Sequence, residues 1–517
     1  MKNNSQTKTV RIIGFMAVIT FMAKVMGLLR ETLIASVYGR TDAADIISTS
    51  TQIPLLFFDM TLGVAILSTF VPVFNKFLER DSKERAMDFA NNFMTAVITF
   101  ATAGAVLGMI FAEPLVRLMA PGYSPEKVAQ TAKLLRILFP SIVFTAAAFT
   151  SVGILQSFGE FNIPALISAV SNLIMILYLI AAGNKFGLTG VIVSMLIAWA
   201  SQLFIQIPAL FKKGFRYRPR LNLKDEGIRD AVRLAIPVLI SSWVQPLCVA
   251  INTAFGSFMG NGAVIALNWA NKLYIIMVGV FAYAVTNFIF PKLSRLNAGD
   301  NNEGFSETTR TSLGWIIIII ALISALFVAL SEPIIKIVFE YGQFSADDTS
   351  VTANALFFYS FGMVGYAICE ILNKSFYAIR DGKTPMFASI FGIAVNFGAA
   401  FILVNSVKMG IGGLALASAI SSWMMAIVLL FMINKRKGGT IPLSFVINMT
   451  KIIVAAILCG AVTYAIYPLL DFLEGGNIIT SIRAGISALA GLLVYLLSAF
   501  VLRVDEFKQI RRFKNGN

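Results

Sequence analysis

Three ionisable side chains lie within the first long apolar segment of the sequence. Lys24, Arg30 and Glu31 fall between Val10 and Val37. A membrane-spanning helix needs about 20 apolar residues at a rise of about 1.5 Å each, so Lys24 is expected near the centre of the bilayer. A charge there costs about 2.5–3.5 kcal/mol on insertion scales. We therefore expect these charges to face a water-filled cavity rather than lipid.

Two structural interpretations compete with a ligand-facing role for these charges. Arg30 lies about 9 Å beyond Lys24 along a helix, so its side chain could instead reach the outer interface. Lys24 is too central for that, and its alternative is a buried ion pair with Asp59, in the middle of the second apolar segment. Lys24 and Glu31 share a helical face, from which Arg30 is rotated by about 120°. Gly27 permits a bend that would bring Arg30 round to that face.

A third cationic candidate, Lys272, lies inside the predicted eighth span. Asn268 and Asn271 accompany it, and a face this polar is expected to look into the helix bundle rather than towards lipid. Polar packing between helices is the structural alternative. Asn252 gives the predicted seventh span a similar polar character.

Two aspartates, Asp42 and Asp45, begin the second apolar segment on the predicted outer side. Carboxylates in the first turn of a helix cap its N–H groups and compensate its dipole. This structural interpretation competes with a functional one at both positions.

The composition indicates a membrane protein. Of the 517 residues, 57% are hydrophobic and only 13% are charged, whereas soluble domains contain about 25% charged residues. We therefore expect an all-α polytopic membrane protein. The net charge of +15 does not indicate nucleic-acid binding, because the basic residues fall in short loops between apolar segments.

The sequence also argues against an enzyme. It contains no histidine, which removes the commonest metal ligand and the side chain that titrates near neutral pH. It has neither a P-loop nor a dense acidic cluster, so we expect neither ATP hydrolysis nor a metal site. The loops are too short to fold a catalytic domain. The sequence therefore predicts a transporter without a bound cofactor.

Apolar segments predict fourteen membrane spans. An even number places both termini on one side, and the concentration of lysine and arginine in the loops of that side makes it the cytoplasm. The predicted spans are 10–37, 43–73, 87–111, 130–155, 163–183, 187–210, 230–257, 263–290, 308–331, 349–373, 384–404, 409–434, 443–468 and 478–502.

An internal repeat predicts two lobes of six helices each. Glu113–Leu118 recurs as Glu332–Ile337, and Gly187–Gly190 as Gly410–Gly413, at nearly constant offset. An offset of six spans gives both repeats the same membrane orientation, with a substrate site between them. The predicted parts are an N-terminal lobe at 1–211, a basic cytoplasmic linker at 212–228, a C-terminal lobe at 229–437, and two further helices with a basic tail at 438–517.

The repeat also separates the charged positions of the two lobes. Arg30 and Glu31 align with Ile251 and Asn252. A purely architectural need for charge would be expected in both lobes. The asymmetry therefore favours a ligand-facing role for the charges of the first span.

Several short segments combine glycine, charged and aromatic residues in a distinctive way. They are Gly27–Glu31 with Ala35 and Gly39, Phe161–Ala165, Phe339–Phe344, Phe376–Ala378 and Asp381–Pro385. On these segments the sequence resembles the lipid II flippase family, MurJ or MviN, of the multidrug/oligosaccharidyl-lipid/polysaccharide exporter superfamily. The resemblance extends over nearly the whole chain. Fourteen spans with cytoplasmic termini fit that family.

The resemblance implies a V-shaped pair of lobes around a cationic cavity, with helices 13 and 14 forming a groove for a polyprenyl tail. The substrate would be lipid II, the undecaprenyl-pyrophosphate-linked peptidoglycan precursor, moved from the inner to the outer leaflet by alternating access. The family's basic positions match Lys24, Arg30 and Lys272, and its acidic position matches Asp45. A lysine still meets a pyrophosphate as a point charge, although it lacks the bidentate fork of arginine.

One position departs from the family pattern. A basic residue of the second helix is replaced here by Phe58, so the cationic cluster has one basic residue fewer than in the family pattern. Two alternatives therefore stay open, namely a flippase for another lipid-linked oligosaccharide and a cation-coupled multidrug exporter. The latter would be expected to rely on acidic and aromatic cavity residues.

The sequence suggests two candidate energy sources for transport and several candidate partners. Membrane potential would supply about 2.3 kcal/mol per charge per 100 mV, and a sodium ion or proton on Asp59, Glu31 or Asp45 is the alternative. Asn252 is a further candidate for coupling. We expect a monomer in the bacterial cytoplasmic membrane, in contact with membrane lipids, with the cell-wall synthesis machinery as a candidate partner.

Overall fold

The computed structural model describes residues 2–63, 66–473 and 475–506. Within these ranges the chain is helical and contains no β-strand. The α-helices are α1 (Lys2–Tyr38), α2 (Asp42–Phe58), α3 (Val71–Arg80), α4 (Lys83–Ile110), α5 (Ala112–Met119), α6 (Pro125–Leu138), α7 (Ser141–Ser157), α8 (Asn162–Ala181), α9 (Gly187–Phe204), α10 (Ile207–Lys212), α11 (Glu226–Ser242), α12 (Val244–Gly256), α13 (Ala263–Ala298), α14 (Asn302–Ala329), α15 (Ser331–Phe339), α16 (Ala346–Ser360), α17 (Met363–Ala378), α18 (Lys383–Phe401), α19 (Ile411–Lys437), α20 (Leu443–Leu469) and α21 (Asn477–Val501). Three π-helical segments are Asp59–Gly63, Ile66–Phe70 and Ile402–Ser406.

Ten helical spans of the described residues are long and apolar enough to cross a membrane, or eleven if the bent pair α16 and α17 counts as one. They coincide with eleven of the fourteen predicted windows. The first, second and seventh windows are not among them. These three fall on α1, on α2 with its π-helical continuation, and on α11 and α12, which break at Trp243, and each lies partly outside the residues that the structure describes in full. A polytopic helical protein is thus confirmed, and the count of fourteen stays a prediction.

Side chains satisfy the backbone at the breaks in these helices. Trp243 Nε1 donates to the carbonyl of Met60, inside a π-helical segment, at 2.8 Å. In the bent pair, Ser324 Oγ donates to the Ser360 carbonyl at 2.7 Å and Trp423 Nε1 to the Phe361 carbonyl at 2.8 Å. Irregular backbone at membrane depth persists only where such partners replace water.

The chain divides into two compact units, described separately below. Unit 1 comprises Met1–Val264 with Tyr341–Gln343, and unit 2 comprises Ile265–Glu340 with Phe344–Asn517. The predicted lobe limits follow the repeat rather than compactness, and they stay a prediction. The last part of the predicted basic tail, 507–517, lies outside the described residues.

Each unit has its own aromatic core. In unit 1, Phe70 stacks on Phe74 and Phe89, with ring centroids 5.3 and 5.5 Å away. In unit 2, Trp269 stacks on Phe339 with ring centroids 5.5 Å apart. Each of these five rings is fully buried.

Candidate functional site

Arg30 and Glu31 form an ion pair on α1, within unit 1. Arg30 Nη2 lies 2.6 Å from Glu31 Oε1, and the two side chains are 23% and 6% exposed. On the other branch of the guanidinium, Arg30 Nη1 donates to Asn172 Oδ1 on α8 at 3.0 Å. Asn172 Nδ2 in turn donates to the carbonyl of Ala23 at 3.1 Å. These contacts fix the guanidinium between α1 and α8, within unit 1.

The helix reaches this geometry without a break at Gly27. α1 is continuous from Lys2 to Tyr38, so no local unwinding brings Arg30 round. Its long side chain instead spans from its own face to the neighbouring α8. The Nε atom of Arg30 is buried and has no hydrogen-bond partner among the described residues.

Lys24 and Asp59 do not pair in this structure. Lys24 is half-buried on α1 and Asp59 is exposed where α2 passes into a π-helical segment. Within the described residues neither side chain has an ion-pair partner. The ion pair of α1 is therefore that of Arg30 with Glu31, and Lys24 keeps an uncompensated positive charge.

Asp45 lies in a separate buried cluster of unit 1. Its side chain has no exposed surface, and it accepts from Lys127 Nζ at 2.8 Å and from the Gly262 N–H at 2.9 Å. Lys127 also contacts Asp42 at 2.5 Å and lies 4.1 Å from the centroid of the Tyr123 ring. In this conformation Asp45 therefore holds α2 to α6 and to the turn before α13. Its assignment as a substrate contact stays a prediction.

Asn252, which the sequence analysis names as a candidate for coupling, is buried on α12. Its neighbour Thr253 donates through Oγ1 to Gln52 Oε1 of α2 at 2.9 Å. One turn on, Ser257 Oγ accepts from the Gly122 N–H at 2.9 Å. The polar residues of α12 thus meet the helices of unit 1.

Phe58, which replaces a basic residue of the family pattern, belongs to the hydrophobic core of unit 1. It is 4% exposed and makes an edge-on contact with Phe149, with ring centroids 5.2 Å apart. This position contributes packing and no charge. The predicted basic positions of unit 1, Lys24 and Arg30, both lie on α1.

Lys272 lies on α13, in unit 2. It is half-buried together with Asn268 and Asn271, whereas Trp269 and Ala270 between them are fully buried. The polar face predicted for this helix is therefore present and is distinct from its apolar face.

Unit 2 also contains a large apolar pocket of about 870 Å³ beside α20. Its wall includes Ala456 and Gly460 of α20, Ala325 of α14, Phe361 at the break between α16 and α17, and Trp423 of α19. Phe361 is 44% exposed, so the pocket opens on the outer surface of the unit. A volume of this size suits a hydrocarbon chain or a small molecule.

Asn172 and Lys127 were not predicted as functional residues from the sequence. Asn172 follows Ser171 in an otherwise apolar segment, and this polar pair was a detectable signal. Lys127 lies in a stretch of mixed charge before a span, where nothing distinguishes it from other loop lysines.

The fold defines the class of protein. A multidrug resistance transporter of the MATE family and the MOP superfamily, in an inward-facing conformation, superposes with a TM-score of 0.70 over 82% of this chain and 98% of its own, at 15% identity. A structure described as lipid II flippase MurJ in an inward closed conformation superposes with a TM-score of 0.79 over 94% and 98%, at 24% identity. The chain thus has the fold of this group of multi-pass transporters.

The sequence then identifies the family. The profile of the lipid II flippase MurJ matches residues 34–475, and the chain therefore belongs to that family. A probable lipid II flippase MurJ of Rhizobium meliloti (strain 1021) is 27% identical over 512 residues, or 95% of this chain and 94% of the relative. Another, of Buchnera aphidicola subsp. Schizaphis graminum, is 26% identical over 414 residues, or 78% and 79%.

Proposed function

We propose that this protein is a transporter that moves lipid II from the inner to the outer leaflet of the bacterial cytoplasmic membrane by alternating access. The observation that carries the proposal is the cationic group on α1, in a chain that belongs to the lipid II flippase family. Lys24 is half-buried there without an acidic partner among the described residues. An anionic substrate would offset the energy of holding that charge in a membrane.

The basic residues have different roles in this proposal. Lys24 is the first contact for the diphosphate, because its charge is uncompensated. Arg30 is held by Glu31 and Asn172, with Nε left for a further acceptor. Lys272 would add a third cation from α13. Together they would replace the water that the diphosphate loses on entering the protein.

The finer architecture belongs to the same proposal. We infer fourteen spans with both termini in the cytoplasm, arranged as two six-helix lobes plus α20 and α21. The polyprenyl tail would lie along α20 and α21, and the apolar pocket beside α20 supports a hydrocarbon ligand at this end of the chain.

Among the acidic residues proposed for coupling, Asp59 is favoured. Glu31 is bound to Arg30 and Asp45 to Lys127, whereas Asp59 is exposed and has no ion-pair partner among the described residues. A sodium ion or a proton would therefore bind most readily at Asp59. Membrane potential acting on the bound substrate is the other energy source.

The test is complementation of a strain depleted of its own lipid II flippase. Lys24→Ala, Arg30→Ala and Lys272→Ala should each abolish growth and reduce head-group translocation at least tenfold, because a buried cation contact is removed. Lys24→Arg should retain activity, since it preserves the charge. Lys133→Ala, at an exposed basic residue of α6, is the matched control and should behave as wild type.

Each part of the proposal fails on a different outcome. Normal translocation by all three alanine variants, at equal expression, would contradict the cationic site. Failure of the wild type, with rescue of another lipid-linked oligosaccharide pathway, would contradict lipid II as the substrate. Drug efflux without lipid translocation would instead identify an exporter.

A further inference from the structure

The segment between α10 and α11 is basic, exposed and held in an extended form against α4. We call residues 215–224 the basic strap. Asn91 Oδ1 accepts from the Arg218 N–H at 2.6 Å, and Thr95 Oγ1 accepts from the Arg220 N–H at 3.2 Å. Asn92 binds both backbone groups of Asn222, at 2.7 and 2.9 Å. The strap therefore has a defined path along one helix.

These hydrogen bonds fix the directions in which successive side chains of the strap point. The N–H groups of every second residue, 218, 220 and 222, face α4, as in an extended chain whose successive side chains alternate between two sides. The basic residues occupy even positions, and the large apolar residues Tyr217, Leu221 and Leu223 occupy odd ones. Those three are 41%, 51% and 63% exposed. A basic row and an apolar row thus run side by side.

The basic row is only partly neutralised by protein. Arg220 Nη1 lies 3.4 Å from Asp88 Oδ2, in a pair whose side chains are 58% and 57% exposed. Arg216 and Arg218 are exposed, and their side chains have no carboxylate partner within the described residues. They remain available to an external anion.

The position of the strap places it at the membrane surface. α4 has 28 residues and is therefore about 42 Å long, whereas the hydrocarbon core of a bilayer is about 30 Å thick, so part of the helix extends beyond that core. The strap contacts α4 between Asp88 and Thr95, in its second to fourth turns, where Asn91 and Asn92 precede the apolar part of the helix. Phe211, just before the strap, is 59% exposed, which continues the apolar surface towards α10.

We propose that the basic strap is a binding site for anionic phospholipid headgroups. Arg216 and Arg218 bind the phosphates, and Leu221 and Leu223 enter the adjoining acyl region, whereas the Tyr217 hydroxyl lies 3.2 Å from Thr95 Oγ1 of α4. Clusters of basic residues beside a membrane helix attract anionic lipids, and here α4 holds the cluster in register. The inference is independent of the transported substrate, so the growth assay above can succeed or fail without affecting it.

The test uses the full chain in nanodiscs of phosphatidylcholine containing a minor fraction of acyl-brominated lipid. A fluorophore is attached at Leu221→Cys in a Cys248→Ala background, since Cys369 and Cys459 are buried. Brominated phosphatidylglycerol should quench it several-fold more than the same fraction of brominated phosphatidylcholine. In Arg216→Gln/Arg218→Gln both lipids should quench almost equally, because each basic residue near the surface contributes to the attraction of the anionic lipid.

Two further variants separate a built site from general attraction. Arg80→Gln/Lys435→Gln removes the same charge from exposed residues elsewhere and should keep the preference. Asn91→Ala/Asn92→Ala keeps every charge but removes the hydrogen bonds that hold the strap to α4. This variant should lose the preference for phosphatidylglycerol. Equal quenching by both lipids in the wild type, an unchanged preference in the arginine variant, or an unchanged preference in the asparagine variant would each overturn the proposal. So would binding of a short RNA at Arg216 and Arg218 without any lipid preference.

Discussion

At the scale of single residues, Asn172 orients the guanidinium of Arg30 on α1. Its amide binds Arg30 through Oδ1 and the Ala23 carbonyl through Nδ2, and it is 7% exposed. Asn172→Ala should destabilise the protein by about 1–3 kcal/mol, because the partners lose buried hydrogen bonds. It should also impair translocation, because the guanidinium loses its fixed orientation. Lipid translocation and thermal unfolding of the purified variant check both effects.

A second substitution at the same position separates orientation from charge. Asn172→Asp keeps an acceptor for Arg30 but places another carboxylate beside it, so it should abolish translocation of an anionic substrate. It also replaces the donor to the Ala23 carbonyl by an acceptor, so its stability should fall as in the alanine variant. Asn162→Ala, at an exposed residue of the same helix, should leave both properties unchanged. Full activity of the aspartate variant would show that the net charge at Arg30 is not used.

The charges of α1 were predictable from the sequence because an ion in an apolar segment is an energetic anomaly. Their partners were not. Arg30 takes Asn172 from a helix more than a hundred residues later, and Lys24 does not take Asp59 although both fall at similar depth. Such pairings depend on which helices are neighbours, and hydropathy does not encode that.

At the scale of elements, the Asp381–Pro385 segment is explained by helix capping. Asp381 Oδ1 accepts from the N–H groups of Lys383 and Thr384, both at 3.1 Å, and Oδ2 accepts from Thr384 Oγ1 at 2.7 Å. Arg436 lies 3.0 Å from Oδ2. Burial acts to raise the pKa of this carboxyl, but the bonds from Thr384, the charge of Arg436 and the Lys383 N–H together hold the pKa below its usual value of 3.8.

This shift gives a signed pH prediction. A carboxyl whose pKa is lower in the folded state stabilises the fold above its unfolded pKa, and the contribution is lost as pH falls through the folded pKa. Asp381→Asn should therefore lower stability at pH 7 by about 1 kcal/mol, and the difference from wild type should shrink below about pH 4. Reaction of the buried Cys369 and Cys459 with a thiol dye during heating reports unfolding. Asp81→Asn, at an exposed helix end, should show no such convergence.

Eleven of the fourteen predicted windows match spans of the described residues. What hydropathy did not predict is the irregular backbone inside some helical segments, such as the π-helical continuation of α2 and the break between α11 and α12. There a tertiary contact satisfies the backbone, because Trp243 donates to the Met60 carbonyl. A window average records apolar length, and it carries no information on where a helix changes its geometry.

At the scale of the whole molecule, the compact units do not follow the chain in simple blocks. Tyr341–Gln343 belongs to unit 1, although the residues on both sides of it belong to unit 2. The Gln343 N–H donates to the Ser36 carbonyl, near the end of α1, at 2.8 Å. Tyr341–Gln343, the central part of a segment that is distinctive already in the sequence, therefore packs in unit 1.

Gly342 makes this docking possible. Its φ is +60°, a conformation that disfavours side chains, and an added Cβ would overlap the Ser36 carbonyl oxygen. Gly342→Ala should therefore combine backbone strain of about 1–3 kcal/mol with loss of the contact to α1. Gly159→Ala is the matched control, because Gly159 has φ +72° but open space around an added Cβ. We expect the unfolding temperature, measured with the thiol dye, to fall more in Gly342→Ala than in Gly159→Ala. Equal falls would show that the docked segment does not stabilise unit 1.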